Sequence, residues 1–115
     1  MRRGEIRLVD LDPVRGAEAN KQRPAILVSN DGANMTAERL GRGVVTVVPV
    51  TSNTERVYPF QALLDAATTG LDHDCKAQAE QVRSVAVERV GVLVGALTAD
   101  LTAAVDEALR LHLAL

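Results

Sequence analysis

Val44-Val45-Thr46-Val47-Val48-Pro49-Val50 (VVTVVPV) is the stretch on which the fold turns. Five of its seven residues are valine and a sixth is the β-branched Thr46. Such a run is too short for a stable helix and suits a pleated, buried surface, so it reads as a strand. Pro49 lies near its end and removes a ladder donor there, which predicts an edge or a bulge.

Upstream, residues 24–30 (PAILVSN) repeat the pattern, with Pro24 at the first position of a strand, where a missing N–H is tolerated. Residues 5–10 (EIRLVD) alternate and read as a half-buried strand. Between these two strands runs a long polar segment, 11–23, with Pro13 and Gly16. Its length is itself a hint of function. Residues 31–39 suit a helical turn that the GRG at 41–43 ends. Downstream, 57–64 (VYPFQALL), 74–87 (DCKAQAEQVRSVAV) and 90–97 (VGVLVGAL) read as further strands, although the Ala and Gln of 74–87 would also suit a helix. The tail is a helix. Thr98 caps it, Asp100 sits at its positive end, and Leu101, Val105, Ala108, Leu109 and His112 fall on one stripe. Many short strands followed by one packing helix predict a mainly β, α+β molecule, a small barrel or half-barrel with helices on its side.

Composition narrows the class. The chain has 115 residues, enough for one domain (1–115) with a modest core, and 47% of them are hydrophobic. It shows no apolar run of membrane-spanning length and no secretory leader, which predicts a soluble, cytoplasmic protein. The single cysteine, Cys75, cannot form an internal disulfide, and no Cys/His cluster has metal-ligand spacing, so neither a metal nor a cofactor is expected. Net charge is −2, against a protein that coats nucleic acid by bulk charge. The charge is uneven: residues 1–56 hold nine Lys/Arg against seven Asp/Glu, and residues 57–115 hold four against eight. A mildly basic face on an acidic body is one reading, and an ordinary mixed surface is the other.

A few side chains stand where chemistry is easily placed. Arg23 lies where the polar segment meets a rigid strand, and its planar fork of donors suits a phosphate; a surface ion pair is the plainer reading. Thr51 ends the valine-rich strand, where a hydroxyl can donate to a phosphoryl oxygen or simply cap its own turn. If the two strands are neighbours, Arg23 and Thr51 face one cleft. Glu18 and Arg15 lie in the polar segment, either solvated or, for the carboxylate, able to hold Arg23 or accept a proton. His73, between Asp72 and Asp74, and His112, on the helix stripe, read as structural, and Cys75 as a small buried residue. Aromatic content is only 2%, which argues against a base-stacking face.

Taken in order, RRGEI(x)LVDLDP, Gly16-Ala17-Glu18, QRPAILVSN, VVPVTSN, VYPFQALL and Ala79-Glu80-Gln81-Val82-Arg83-Ser84 give the chain a resemblance over nearly its whole length. It resembles the MazF/PemK group of toxin endoribonucleases. The resemblance implies a small SH3-like β-barrel, similar also to the CcdB fold, with a C-terminal helix. It implies a homodimer that cuts single-stranded RNA, often mRNA, at short motifs without a metal, and a MazE-like antitoxin that lays an acidic tail over the dimer groove. It assigns Arg23 and Thr51 as catalytic, with Glu18 in the active-site segment, and places Arg15, Lys21, Ser52, Asn53, Gln81 and Arg83 toward the RNA. Two positions depart from the pattern. Arg7 stands where many relatives carry Trp, which bears on how segment 11–23 seats and on whether Arg7 adds a phosphate contact. Ala17 stands where Ser is common. A gyrase-binding toxin of the CcdB type is disfavoured, because such proteins rely on a tryptophan near the carboxyl end and this chain has none. An inactive relative that only binds RNA or antitoxin is the other alternative, raised by Arg7 and lowered by the presence of Arg23 and Thr51.

Overall fold

The computed structural model describes residues 1–11 and 22–115. Its strands are β1 (Glu5–Asp10), β2 (Gln22–Leu27), β3 (Val44–Thr51), β4 (Gln61–Leu64), β5 (Cys75–Gln78), β6 (Arg83–Ala86) and β7 (Val90–Ala96). Its helices are α1 (Asp31–Leu40), α2 (Ala66–Thr69) and α3 (Ala99–Leu113).

All strand pairs are antiparallel, in the order β4-β5-β3-β2-β1-β7, with β6 attached to β3 beside that path. The sheet curls but does not close: among the described residues β4 and β7 are not paired with each other. The half-barrel expectation is therefore the right one of the two.

β3 is the hub. One flank pairs with β2 throughout its inner half, Ala25 opposite Pro49 and Leu27 opposite Val47. The other flank changes partner: Val44–Val47 pair with β6, and Val50 and Thr51 pair with β5. The gap falls at Val48–Pro49, where proline has no N–H to give to a ladder. Pro49 thus marks a switch of partners inside the sheet, not an outer edge. The same switch breaks the strand expected over 74–87 in two, with a 3-10 turn at Ala79–Gln81 carrying the chain round the corner.

Both faces of the sheet are covered, which is why β3 is apolar without alternation. On one face Ile6, Ile26, Val48, Val50, Leu64 and Ala77 pack with Val105, Ala108 and Leu109 of α3. On the other, Val9, Ala25, Leu27, Val45, Val47 and Val85 pack with Ala37 of α1. α1 is capped by the Asn30 side chain, which accepts from the Ala33 N–H at 2.8 Å, and it ends at Gly41 with φ of 65°. α3 starts as expected at Thr98, whose hydroxyl accepts from the Leu101 N–H at 3.2 Å. His112 is exposed, so the buried stripe stops at Leu109.

The expected strand over 57–64 begins only at Gln61. Tyr58 to Gln61 instead form a turn, closed by the Gln61 N–H donating to the Tyr58 carbonyl at 2.8 Å. Arg7 does not reach into a cleft. Its Nε donates to Glu5 Oε1 at 3.0 Å and its Nη1 to the Gly91 carbonyl at 3.1 Å, so it staples β1 to β7. Arg3 is likewise engaged, with the Val28 carbonyl and Asp106. Two of the arginines of the amino half are thus used within the fold.

Candidate active site

The β2–β3 register places the two residues singled out first. Ala25 faces Pro49, so continuing the pairing to the strand ends sets Arg23 opposite Thr51. Both line a cleft of about 570 Å³, with Leu8, Pro24, Val50 and Val94 behind them and Ser52 at the rim. It is also lined by Gly70, Leu71, Asp72 and His73, from the connection between α2 and β5, and by Cys75, the first residue of β5. A volume of that order is ordinary for a small-ligand site and admits a nucleotide-sized group.

Arg23 is exposed and, among the described residues, makes neither a side-chain hydrogen bond nor an ion pair. The surface ion pair offered as the plainer reading is not found among those residues. A guanidinium held at a strand end with its donors free is what an incoming anion needs.

Thr51 caps its own turn, the plainer of its two readings. Its Oγ1 accepts the Asn53 N–H at 3.3 Å, the turn cap expected of a threonine there. Accepting that bond leaves the hydroxyl proton to be donated outward. Asn53 continues the turn by accepting the Glu55 N–H at 3.2 Å and does not line the cleft.

Lys76 stands across from Thr51 in the β3–β5 register. It is only 8% exposed and its Nζ donates to the Arg56 carbonyl at 2.6 Å, which ties down the segment after Thr51. Nothing in the sequence singled it out, because a lone lysine in CKAQ looks like a solvated strand residue.

The remaining expected site residues fall elsewhere. Arg83 Nη1 donates to the Leu11 carbonyl at 3.0 Å, beside Arg89, which donates to the Asp10 carbonyl at 3.4 Å. Together they hold the end of β1. Gln81 is exposed on the 3-10 turn, and neither it nor Arg83 lines the cleft. Arg15, Glu18 and Lys21 lie outside the described residues. The two aromatic rings, Tyr58 and Phe60, stack on each other at 5.2 Å, with Arg56 over Tyr58. Among the described residues no group of three or more His, Cys, Asp or Glu is placed to hold a metal ion.

The wall formed by residues 70–73 is rigidly mounted. Asp65 caps α2, and the Thr68 hydroxyl that donates to it holds its carboxyl below the usual range, helped by the Thr68 N–H. The Ala66 N–H donates to Asp74 Oδ1 at 2.8 Å. Gly70, at φ of 86°, lies against Val94 and Gly95 of β7. Cys75 Sγ donates to the His73 carbonyl at 3.3 Å, and burial, with Asp74 beside it, pushes its thiol pKa up, so it is a poor nucleophile. His73, expected to be merely structural, lines the same cleft as Arg23 and Thr51.

A model of the PemK-like, MazF-like toxins of type II toxin–antitoxin systems matches residues 2–113. The chain belongs to this family. It is 68% identical over 113 residues to endoribonuclease MazF9 of Mycobacterium tuberculosis, covering 98% of this chain and 96% of that protein. It is 28% identical over 116 residues to endoribonuclease EndoA of Bacillus subtilis, covering 100% of this chain and 96% of that protein. A solved MazE-MazF structure from Deinococcus radiodurans matches with a TM-score of 0.78 at 25% identity, covering 100% of this chain and 96% of that one. The MazF resemblance read from the six sequence blocks is borne out, and so is the open β sheet with its C-terminal helix.

Proposed function

We propose that this chain, a MazF-family endoribonuclease toxin, cuts single-stranded RNA, most directly mRNA, by attack of the 2′-hydroxyl on the neighbouring phosphate. The 2′-oxygen bonds to phosphorus, the bond to the 5′-oxygen breaks, and the products are a 2′,3′-cyclic phosphate and a 5′-hydroxyl. The observation that carries the reading is that Arg23 and Thr51, near the ends of the adjacent strands β2 and β3, line one cleft, with Arg23 making no side-chain hydrogen bond or ion pair among the described residues. The RNA supplies its own nucleophile, so the protein's task is position and charge stabilisation. Arg23 clamps the phosphorane oxygens and Thr51 adds a donor. A guanidinium offers donors and no acceptor, so Arg23 is assigned to charge stabilisation and not to the base. Glu18 is the carboxylate assigned to take the 2′-hydroxyl proton. Ser52, at the rim, and Arg15 and Lys21 contact the flanking RNA, while Asn53, Gln81 and Arg83 support the segments that do so.

The chain works as a homodimer in the cytoplasm and is inhibited by a MazE-like antitoxin, a reading supported by family membership and by its likeness to the solved MazE-MazF structure. No described helix is long and apolar enough to cross a membrane. The test is incubation of the purified protein, Arg23→Ala and Thr51→Ala with a long mixed-sequence RNA in EDTA. Discrete cuts at a shared motif, ending in cyclic phosphate and lost in both variants, are expected. A folded protein that leaves the RNA intact, or cuts it equally well in both variants, defeats the reading.

A further inference from the structure

We propose that His73 is the general acid of this cleft, protonating the 5′-oxygen as it leaves the scissile phosphate. The inference rests on the ribonuclease reading above and names the proton donor that the reading lacks.

An alkoxide is a poor leaving group near neutral pH, so the departing 5′-oxygen needs a proton from a positioned acid. Among the described residues the cleft offers few donors. Arg23 holds its proton too tightly to transfer it, and the Thr51 hydroxyl can donate a hydrogen bond but not a proton. The Cys75 thiol is a weak acid, pushed further up by burial and by Asp74, and its S–H is engaged by the His73 carbonyl. That leaves His73, the side-chain type that ordinarily exchanges protons between pH 5 and 8.

Geometry supports the choice. His73 lines the same cleft as Arg23 and Thr51. Its backbone is fixed on both sides: Cys75 pairs with Leu64 across β4 and β5, and Gly70 rests on β7. Its imidazole is exposed and, among the described residues, makes no side-chain hydrogen bond or ion pair, so it is free to meet a substrate. Among the described residues, the other charged and titratable groups lining the cleft are Asp72 on its own segment, Cys75 on β5 and Arg23 on β2, and Asp74 follows His73 in the chain.

The step balances. The 2′-hydroxyl gives its proton to the carboxylate base proposed above and its oxygen bonds to phosphorus. The bond from phosphorus to the 5′-oxygen breaks, and that oxygen takes the proton of the His73 imidazolium. Neutral His73 then recovers a proton from water, and the protonated carboxyl returns its proton to water.

The test compares wild type, His73→Gln and His73→Arg on a short RNA carrying one mapped cut site, and on the same RNA with sulfur in place of the bridging 5′-oxygen. A thiolate leaves without protonation. On the oxygen substrate both variants are expected to lose about 10²–10⁴-fold in kcat, the range for a positioned acid, and to lose the alkaline fall of the pH–rate profile. On the sulfur substrate both are expected to cut at close to the wild-type rate. Unchanged unfolding transitions exclude a folding defect. Wild-type rates in His73→Gln overturn the proposal. Full activity in His73→Arg reduces His73 to a phosphate contact, and a defect that persists on the sulfur substrate rules out the acid role. If wild type itself cuts neither RNA, it is the ribonuclease reading that fails.

Discussion

Gly95→Ala probes how firmly the wall of the cleft formed by residues 70–73 is mounted. A Cβ at Gly95 would lie 2.5 Å from the backbone oxygen of Thr69 and 3.5 Å from Ile6 Cδ1. Real Cβ contacts do not fall under 3.0 Å, so strand and carbonyl must part by at least about half an ångström. The isoleucine tip can adjust. The carbonyl cannot move alone, because Thr69 ends α2 and its hydroxyl is bonded to the Asp65 carbonyl at 2.8 Å. Relief therefore pushes α2 and the attached residues 70–73 away from β7, which shifts Leu71, Asp72 and His73 relative to Arg23 and Thr51. Overpacking of this kind costs about 1–3 kcal/mol, and for a chain of this size that lowers Tm by roughly 5–15 °C. Catalysis depends on sub-ångström placement, so activity should fall by about 10²-fold even well below the new Tm. Calorimetry and initial cleavage rates at a temperature where both proteins are folded measure the two effects. An Ala variant with wild-type Tm and wild-type rate would refute the packing of α2 against β7 as the support of that wall.

Lys76→Met removes the bond to the Arg56 carbonyl and also a buried charge. These offset in stability, so Tm should change little while kcat/KM falls about 10-fold through a looser turn after Thr51; equal kcat/KM would exclude this positioning role. Arg7→Ala should leave cleavage within about twofold, because Arg7 faces Glu5 and Gly91 and not the cleft; a large loss would restore it as an RNA contact. The same variant should alter acid stability. Burial alone would raise the Glu5 pKa, but the Arg2 backbone N–H and the Arg7 side chain outweigh it and bring the pKa below the usual 4.5. A carboxyl with a depressed folded pKa contributes stability above its unfolded pKa and loses it as pH falls through the folded one. Wild type should therefore lose more stability than Arg7→Ala between neutral pH and pH 3, as urea titrations would show; parallel curves would contradict the assignment.

How much of this was legible in the sequence depended on whether neighbours in sequence were enough. β1, β2, β3, α1 and α3 follow from β-branched runs, the Thr98 cap and the glycine stop at 41–43. Arg23 and Thr51 stood out because each ends a strand, and the Arg-Pro and Val-Pro-Val-Thr blocks gave them a resemblance. The break at Ala79–Gln81 was not legible, since it arises from Pro49 thirty residues earlier in the chain, where β3 exchanges β6 for β5. α2 was hidden because four residues, AATT, have no periodicity to show. His73 and Lys76 looked ordinary for a related reason. Their positions come from the β3–β5 pairing and from the contact of Gly70 with Gly95, which no local pattern announces. Arg83 and Gln81 came with the resemblance, and what the fold adds is that Arg83 anchors the end of β1.

The central claim is that the cleft of Arg23 and Thr51 uses the RNA's own 2′-hydroxyl as nucleophile. The direct measurement is cleavage of an oligoribonucleotide with one mapped cut site beside the same oligonucleotide carrying a single 2′-deoxy sugar on the 5′ side of the scissile phosphate. The account predicts that the deoxy version binds and is never cut at that position, even after complete turnover of the all-ribose strand. Cleavage at the deoxy position, at any rate above background, would contradict it and require a nucleophile from the protein or from water.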